Sequence, residues 1–472
     1  MKQGKIAKSR PCFRFRRMEI FEFVTLSFCN LSLLYWIVRK RGMASAEGYC
    51  AAYLGMAALT DNLNLLFEYF FQPGTLTLGA GEFGFRVYPT IVHVIALTVL
   101  MAGLFLGNPK PEPISRGFSE AELDFAAHLG MALVILGLIL TGFAIYLTGA
   151  YSAADFYTAL DTFRRGSAGG PGPTGGFFYR GADIAVFGMA LILPSVPNKV
   201  RFLAILLAML FVSFFLRANK GGFEAPILWA ALVLYTYNPR RFWSLVKPQI
   251  ILACLIISVV GFGVKGQLLA QDTGPLTLDK ATQNILGGIG TRWGDDGVFR
   301  GWCKFINSVP QYQYLFEGYP IGVDALTSWY PRALNPNKKA QPMQGLGFMV
   351  HADAHTYRYE TPSPGLVGSV YADDGFYSLT AYLLIVGLFL GILRQYTAGR
   401  RSALQWHISY LCFALFQGLS AESGITGIIY MFILTFTATG LAHLAVIGLY
   451  TRKLHGGTFP TNSVAGSRLS PL

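Results

Sequence analysis

Charge is what this chain has least of. Of 472 residues, 13% are charged, against about 25% in a soluble globular protein. That deficit, with 53% hydrophobic residues and a mean hydropathy of +0.43, excludes an ordinary soluble domain and places the chain in lipid. Cysteine is scarce too: Cys12, Cys29, Cys50, Cys254, Cys303 and Cys412, most of them in or beside apolar segments, with no CxxC pair. A disulfide framework and a cysteine zinc site are therefore not indicated. No HExxH spacing occurs. No sequence repeat and no Gly-interrupted symmetric pair of spans is read, which argues against a secondary transporter. The net charge of +13 would suggest nucleic acid in a soluble protein. Here the basic residues sit mostly in short loops, no basic-aromatic module is visible, and no nucleic-acid partner is expected.

What the chain does have is length in apolar runs. About eleven stretches approach the roughly 20 residues that a bilayer needs. They lie near 18–38, 46–68, 87–106, 124–147, 177–194, 200–216, 223–237, 249–264, 376–394, 406–420 and 425–450. The expectation is an all-α polytopic membrane protein, with membrane lipid as its surroundings. Eight spans fill 18–264, a polar loop fills 265–375, three spans fill 376–450, and 451–472 forms a tail that is disordered from 454 on. The spans 200–216 and 223–237 read as a helical hairpin with RANKGG, Arg217 to Gly222, at its tip.

Basic residues in alternate connections set the orientation. Arg39 to Arg41, Lys110 and Arg116, Lys199 and Arg201, Arg240, Arg241 and Lys247, Arg394, Arg400 and Arg401, and Arg452 and Lys453 mark the cytoplasmic side. The long loop is then extracytoplasmic. The basic stretch 1–17 conflicts with that count, so Met18 is expected as the native start, or 1–17 as a disordered extension. Residues 18–38 carry no small-residue cleavage site, so no removed signal peptide is read.

Several residue groups suit chemistry. Arg217 and Lys220 stand outside at membrane depth, against the orientation bias, where a guanidinium fork suits a lipid-linked phosphate. Snorkelling is the plainer alternative. Arg180 opens a span after Arg164, Arg165 and a Gly/Pro stretch, and either meets substrate or pairs with Asp183. In the long loop, Thr291 to Trp302 interleaves Arg292 and Arg300 with Asp295, Asp296 and two Trp, as an interfacial helix or a carbohydrate surface would. His351, Asp353 and His355 alternate as on a strand face and are expected to be a hydrogen-bonded loop rather than a metal site; no metal or cofactor is expected. Glu360, Asp374 and Glu422 are acids near the outer surface, where partial desolvation suits a general base; capping or a salt bridge is the alternative for Glu422. Asp61 and His93 lie inside early spans and are expected to bond a neighbouring helix.

The order RANKGG, then WYPRALNPNK (Trp329 to Lys338), then YETPSPGLVGSVYADDG (Tyr359 to Gly375) resembles the Wzy-type oligosaccharide repeat-unit polymerases. The likeness is clearest over about 200–380. It implies an inverting, GT-C-like glycosyltransferase of the bacterial inner membrane. Such an enzyme joins undecaprenyl-pyrophosphate-linked units at the periplasmic face, alongside a chain-length regulator and a repeat-unit flippase. The matched positions are Arg217, Arg292, Arg332, Glu360 and Glu422, with Lys220, Arg180 and Tyr359 as further substrate contacts. The common-antigen subfamily has Arg directly before its Glu, where this chain has Ala421. An O-antigen ligase and a lipid-linked oligosaccharide flippase or transporter are the alternatives.

Overall fold

A computed structural model describes residues 12–41, 81–109, 118–148, 180–217, 224–245, 298–312, 365–398 and 424–455, with isolated positions between 55 and 66 and at 247, 248, 252 and 279. The described residues are helical and contain no strand. The helices are α1 (Cys12–Arg41), α2 (Gly81–Gly107), α3 (Glu120–Thr148), α4 (Gly181–Ile192), α5 (Lys199–Arg217), α6 (Glu224–Tyr237), α7 (Pro239–Leu245), α8 (Val298–Tyr312), α9 (Gly365–Ala398) and α10 (Gly424–His455). A single 3-10 turn, Leu193–Ser195, extends α4.

Among the described residues, four helices are long and apolar enough to cross a membrane: Ile20–Ile37 in α1, Phe83–Gly107 in α2, Glu120–Tyr146 in α3 and Leu366–Gln395 in α9. Their outer faces carry large apolar side chains at helical spacing. Met131, Ile135 and Ile139 line α3, while Ile385, Phe389 and Ile392 line α9. Stripes of this kind left open along whole helices are what lipid covers. The chain is an α-helical membrane protein.

Two apolar cores organise the bundle. One joins α1, α2, α8 and α9; the other joins α3 to α7 and α10. α9 also touches α10, which links the two. Backbone closeness, rather than bulk, seals the tightest seams. α2 and α9 each carry the pentapeptide GLFLG, at 103–107 and 387–391. A Cβ on Gly103 would lie 2.4 Å from the Leu384 carbonyl oxygen, and one on Gly387 would lie 2.3 Å from that of Leu100. Gly107 and Gly391 repeat the arrangement one turn on, so the two helices run parallel. In α3 and α4, Gly130 meets Gly188 and Gly137 meets Gly181, so that pair is antiparallel. Small residues permit this approach because no side chain keeps the backbones apart. The reading of no repeat therefore missed a short one, placed where it makes contact.

Helix ends follow local rules. Ser119 and Glu122 form a reciprocal cap on α3: the Ser119 N–H donates to Glu122 Oε2 at 2.8 Å and the Glu122 N–H to Ser119 Oγ at 3.4 Å. Asn198 Oδ1 caps α5 through Val200 N–H at 2.8 Å. Residues 12–17 are helical and continuous with α1, so that part of the basic stretch is not a disordered extension; Arg is a good helix former. Likewise α10 continues to His455, beyond the expected end of its span and into the expected tail. α5 and α6 pack on one another as the expected hairpin arms.

Candidate functional site at a broken helix

The most irregular backbone among the described residues is inside α9. Asp374 has φ −149° and ψ 44°, and Gly375 has φ 58° and ψ −130°. Positive φ is strained for a residue with a Cβ, so glycine suits the break. Ser378 holds it together. Its Oγ accepts the Asp374 N–H at 2.9 Å and donates to the Val370 carbonyl at 2.6 Å, eight residues back. The sequence suggested that Asp373, Asp374 and Gly375 precede the span. The helix instead begins at Gly365, and these residues interrupt it.

The first half of α9 is buried from Leu366 to Ala372. It rests on α8 and the first half of α2. α8 is amphipathic: Phe299, Trp302, Cys303, Phe305, Ile306 and Val309 are buried at helical spacing. Its docking answers a backbone vacancy. Pro89, inside α2, has no N–H to give to the Phe85 carbonyl. Asn307 of α8 supplies that hydrogen bond through Nδ2 at 2.8 Å. Of the stretch Thr291 to Trp302, expected as an interfacial helix or a carbohydrate surface, Val298 to Trp302 lie in α8, which is packed into the bundle, and 291–297 lie outside the described residues.

At the break, Tyr88, Tyr371 and Phe376 form an edge-on aromatic cluster with centroids 5.5 to 6.4 Å apart. The Tyr88 and Tyr371 hydroxyls are hydrogen-bonded. Tyr88 and Phe376 are each more than one-third exposed, Asp374 is exposed and Asp373 partly so. Aromatic faces beside carboxylates can stack on a sugar and accept its hydroxyl protons.

Beneath this cluster, His93 is fully buried. Its Nδ1 lies 3.1 Å from the Pro89 carbonyl, its ring stacks on Trp302 at 5.3 Å, and Phe299 meets it edge-on. It therefore bonds its own helix rather than a neighbour, because Pro89 O lies one turn back. Asn62 reaches Ser27 and Thr90, both at 3.4 Å, so a polar seam crosses α1 and α2.

Three of the expected site residues are described, each at a different place. Asp374 lies at the break. Arg180 precedes α4 and pairs with the buried Asp183 at 3.1 Å, the alternative named for it. Arg217 is the last residue of α5. α4, which Arg180 precedes, and α9, which carries Asp374, belong to different cores. Lys220, Arg292, Arg332, Tyr359, Glu360 and Glu422 lie outside the described residues, as do Asp61 and His351 to His355. Among the described residues, no three His, Cys, Asp or Glu are grouped to hold a metal ion.

Sequence reasoning missed Arg86, Tyr88, Asn307 and Ser378. Arg86 is the clearest omission: it is 1% exposed, inside a helix long and apolar enough to cross a membrane. The Pro89 that interrupts an apolar run was a readable signal for that corner. No protein-family model, no curated protein and no solved structure matches the chain.

Proposed function

We propose that the chain is a polysaccharide repeat-unit polymerase. In this reading it has about eleven spans in a GT-C-like arrangement in the bacterial inner membrane, with its reactive loops periplasmic. It joins undecaprenyl-pyrophosphate-linked oligosaccharides without a metal or cofactor, alongside a chain-length regulator and a repeat-unit flippase. The observation that carries the reading is the break in α9. The segment TPSPGLVGSVYADDG, on which the family resemblance rests, ends there, beside Tyr88, Phe376, Asp373 and Asp374.

A sugar hydroxyl of the incoming unit attacks C1 of the growing chain's reducing-end sugar. The new C1–O bond forms as the old bond from C1 to the pyrophosphate oxygen breaks, with inversion. The hydroxyl proton passes to a carboxylate, drawn from Asp374, Glu360 and Glu422. The departing undecaprenyl pyrophosphate is anionic, and Arg217, Lys220 and Arg292 supply cationic hydrogen bonds worth about 1.5–3 kcal/mol each, while Arg180 stays with Asp183. Arg332 and Tyr359 contact substrate.

The test is the surface polysaccharide of a deletion strain, complemented with the wild-type gene and with Arg217→Ala and Asp374→Asn. Lipid A bearing single repeats is expected in the deletion and in Arg217→Ala. Uncapped core would indicate a ligase instead, and absent outer units a flippase. Full-length chains from Arg217→Ala at normal protein level would overturn the role given to that residue.

A further inference from the structure

At the other end of the second core, α5, α6 and α7 meet in a corner that the polymerase reading does not use. Tyr237 and Asn238 end α6, and α7 turns away immediately at Pro239. The corner is built, not frayed. Asn238 Oδ1 accepts the Arg241 N–H at 3.1 Å, and its Nδ2 reaches the Pro194 carbonyl at 3.5 Å. The Arg241 guanidinium lies over the Phe202 ring of α5, 5.0 Å from its centroid. Tyr235, Phe242 and Trp243 stand edge-on to one another at 5.1 to 6.2 Å.

Five cations converge here: Lys199 and Arg201 in the first turn of α5, Arg240 and Arg241 on α7, and Lys247 just beyond. None of the five forms an ion pair among the described residues. The acids at this end, Glu120, Glu122 and Asp124, are on α3, where Glu122 is bonded to Ser119 and Asp124 stands beside His128. Burial lowers the pKa of Arg241, yet a guanidinium remains charged. Between the cations, Trp243 is 64% exposed. An exposed indole among unpaired cations at the end of apolar helices is the composition of a membrane interface facing anionic lipid.

We infer that this corner binds the phosphate headgroup of an anionic phospholipid, with Arg240, Arg241 and Lys247 on the phosphate and Trp243 against the upper acyl chain. The ligand is a lipid rather than a soluble phosphate because Trp243 needs an apolar neighbour that free phosphate lacks. This holds whether or not the chain is a polymerase.

Full-length protein is reconstituted into vesicles of phosphatidylcholine mixed with brominated phosphatidylglycerol or brominated phosphatidylcholine. Bromine quenches tryptophan on contact, so the two curves give a relative affinity. Phosphatidylglycerol is expected to be preferred by about two- to fivefold for each contributing cation. The preference should shrink as salt rises from about 0.1 to about 1 M and the Debye length falls from ~10 to ~3 Å. Arg240→Gln with Lys247→Gln, both exposed positions, should lower it toward one, while Arg241→Lys retains it. Trp243→Phe should remove the quenching component that differs between lipids. Equal quenching by the two lipids, or a preference untouched by the double variant, overturns the site. Loss of the preference on adding inorganic phosphate overturns the assignment to lipid.

Discussion

Replacing Gly103 with alanine adds one methyl group where the backbone of another helix already stands. The new carbon would sit 2.4 Å from the Leu384 carbonyl oxygen and 2.8 Å from the Leu388 nitrogen. Neither atom can swing aside, since both belong to the α9 backbone. Restoring ordinary contact needs the helices to part by about 1 Å, which forfeits roughly a quarter to a half of the dispersion well for each atom pair along the seam. Overpacking of this kind costs about 1–3 kcal/mol, against which alanine returns up to about 1 kcal/mol of helix propensity. Gly103→Ala should therefore be destabilising. Gly142→Ala, in α3 with nothing within 4 Å of the added carbon, should be neutral or stabilising. Gly387→Ala opens the same gap from the other side, because a Cβ added to either glycine would lie about 3 Å from the other's Cα. Once the first methyl has parted the helices, the second has space, so the double variant should lose less than the sum of the singles. Unfolding of purified protein, titrated with a denaturing detergent, reads all four. Gly103→Ala as stable as Gly142→Ala, or strictly additive losses, would refute the close parallel packing.

Two further outcomes follow from the described contacts. Gly375→Ala puts a Cβ at φ 58°, costing about 1–2 kcal/mol, and Ser378→Ala leaves the Val370 carbonyl short of a donor for about 1–3 kcal/mol; the same unfolding titration should register both, and wild-type stability in either would show that the break is not held as described. Arg180→Ala removes a cation from the buried Asp183, and as Arg180 is itself partly exposed the loss should be about 1–3 kcal/mol; restoration by Asp183→Asn in the same chain would identify the pair as its source, and a neutral single variant would deny it.

The membrane class, and the positions of α1, α2, α3 and α9, were legible because twenty apolar residues in a row admit few other fates. The seams between them were not. A glycine in an apolar run carries no mark of its partner, and Gly103 and Gly387 belong to distant parts of the chain. The break at Gly375 was hidden for a different reason. Asp-Asp-Gly reads as the end of a loop, and only the Ser378 hydroxyl, spanning to Val370, makes it an interruption of a longer helix. Arg86, at the start of an apolar run, carried no sign in the sequence that it would be buried. The amphipathic spacing of α8 was present from Phe299 to Val309, but the conspicuous Trp and Asp just before it drew the reading away from the apolar stripe beyond Trp302. Of the expected chemical residues, Asp374 acquires a place beside aromatic rings, and Arg180 acquires its alternative role with Asp183.

The parallel course of α2 and α9 also constrains everything the chain does between them. Two helices that cross one membrane in the same direction start on the same side. Where α2 and α9 both cross the bilayer, the number of traverses between Gly107 and Gly365 is odd, whatever the charges on the loops. α1 and α2 are related in the same way, since Phe23 meets Phe83 near one end and Trp36 meets Phe105 near the other. A single further traverse between Arg41 and Gly81 satisfies that relation, and two do not. Handedness of direction, read from pairs of touching residues, thus supplies a parity rule: any helix added to or removed from either interval must come with a second.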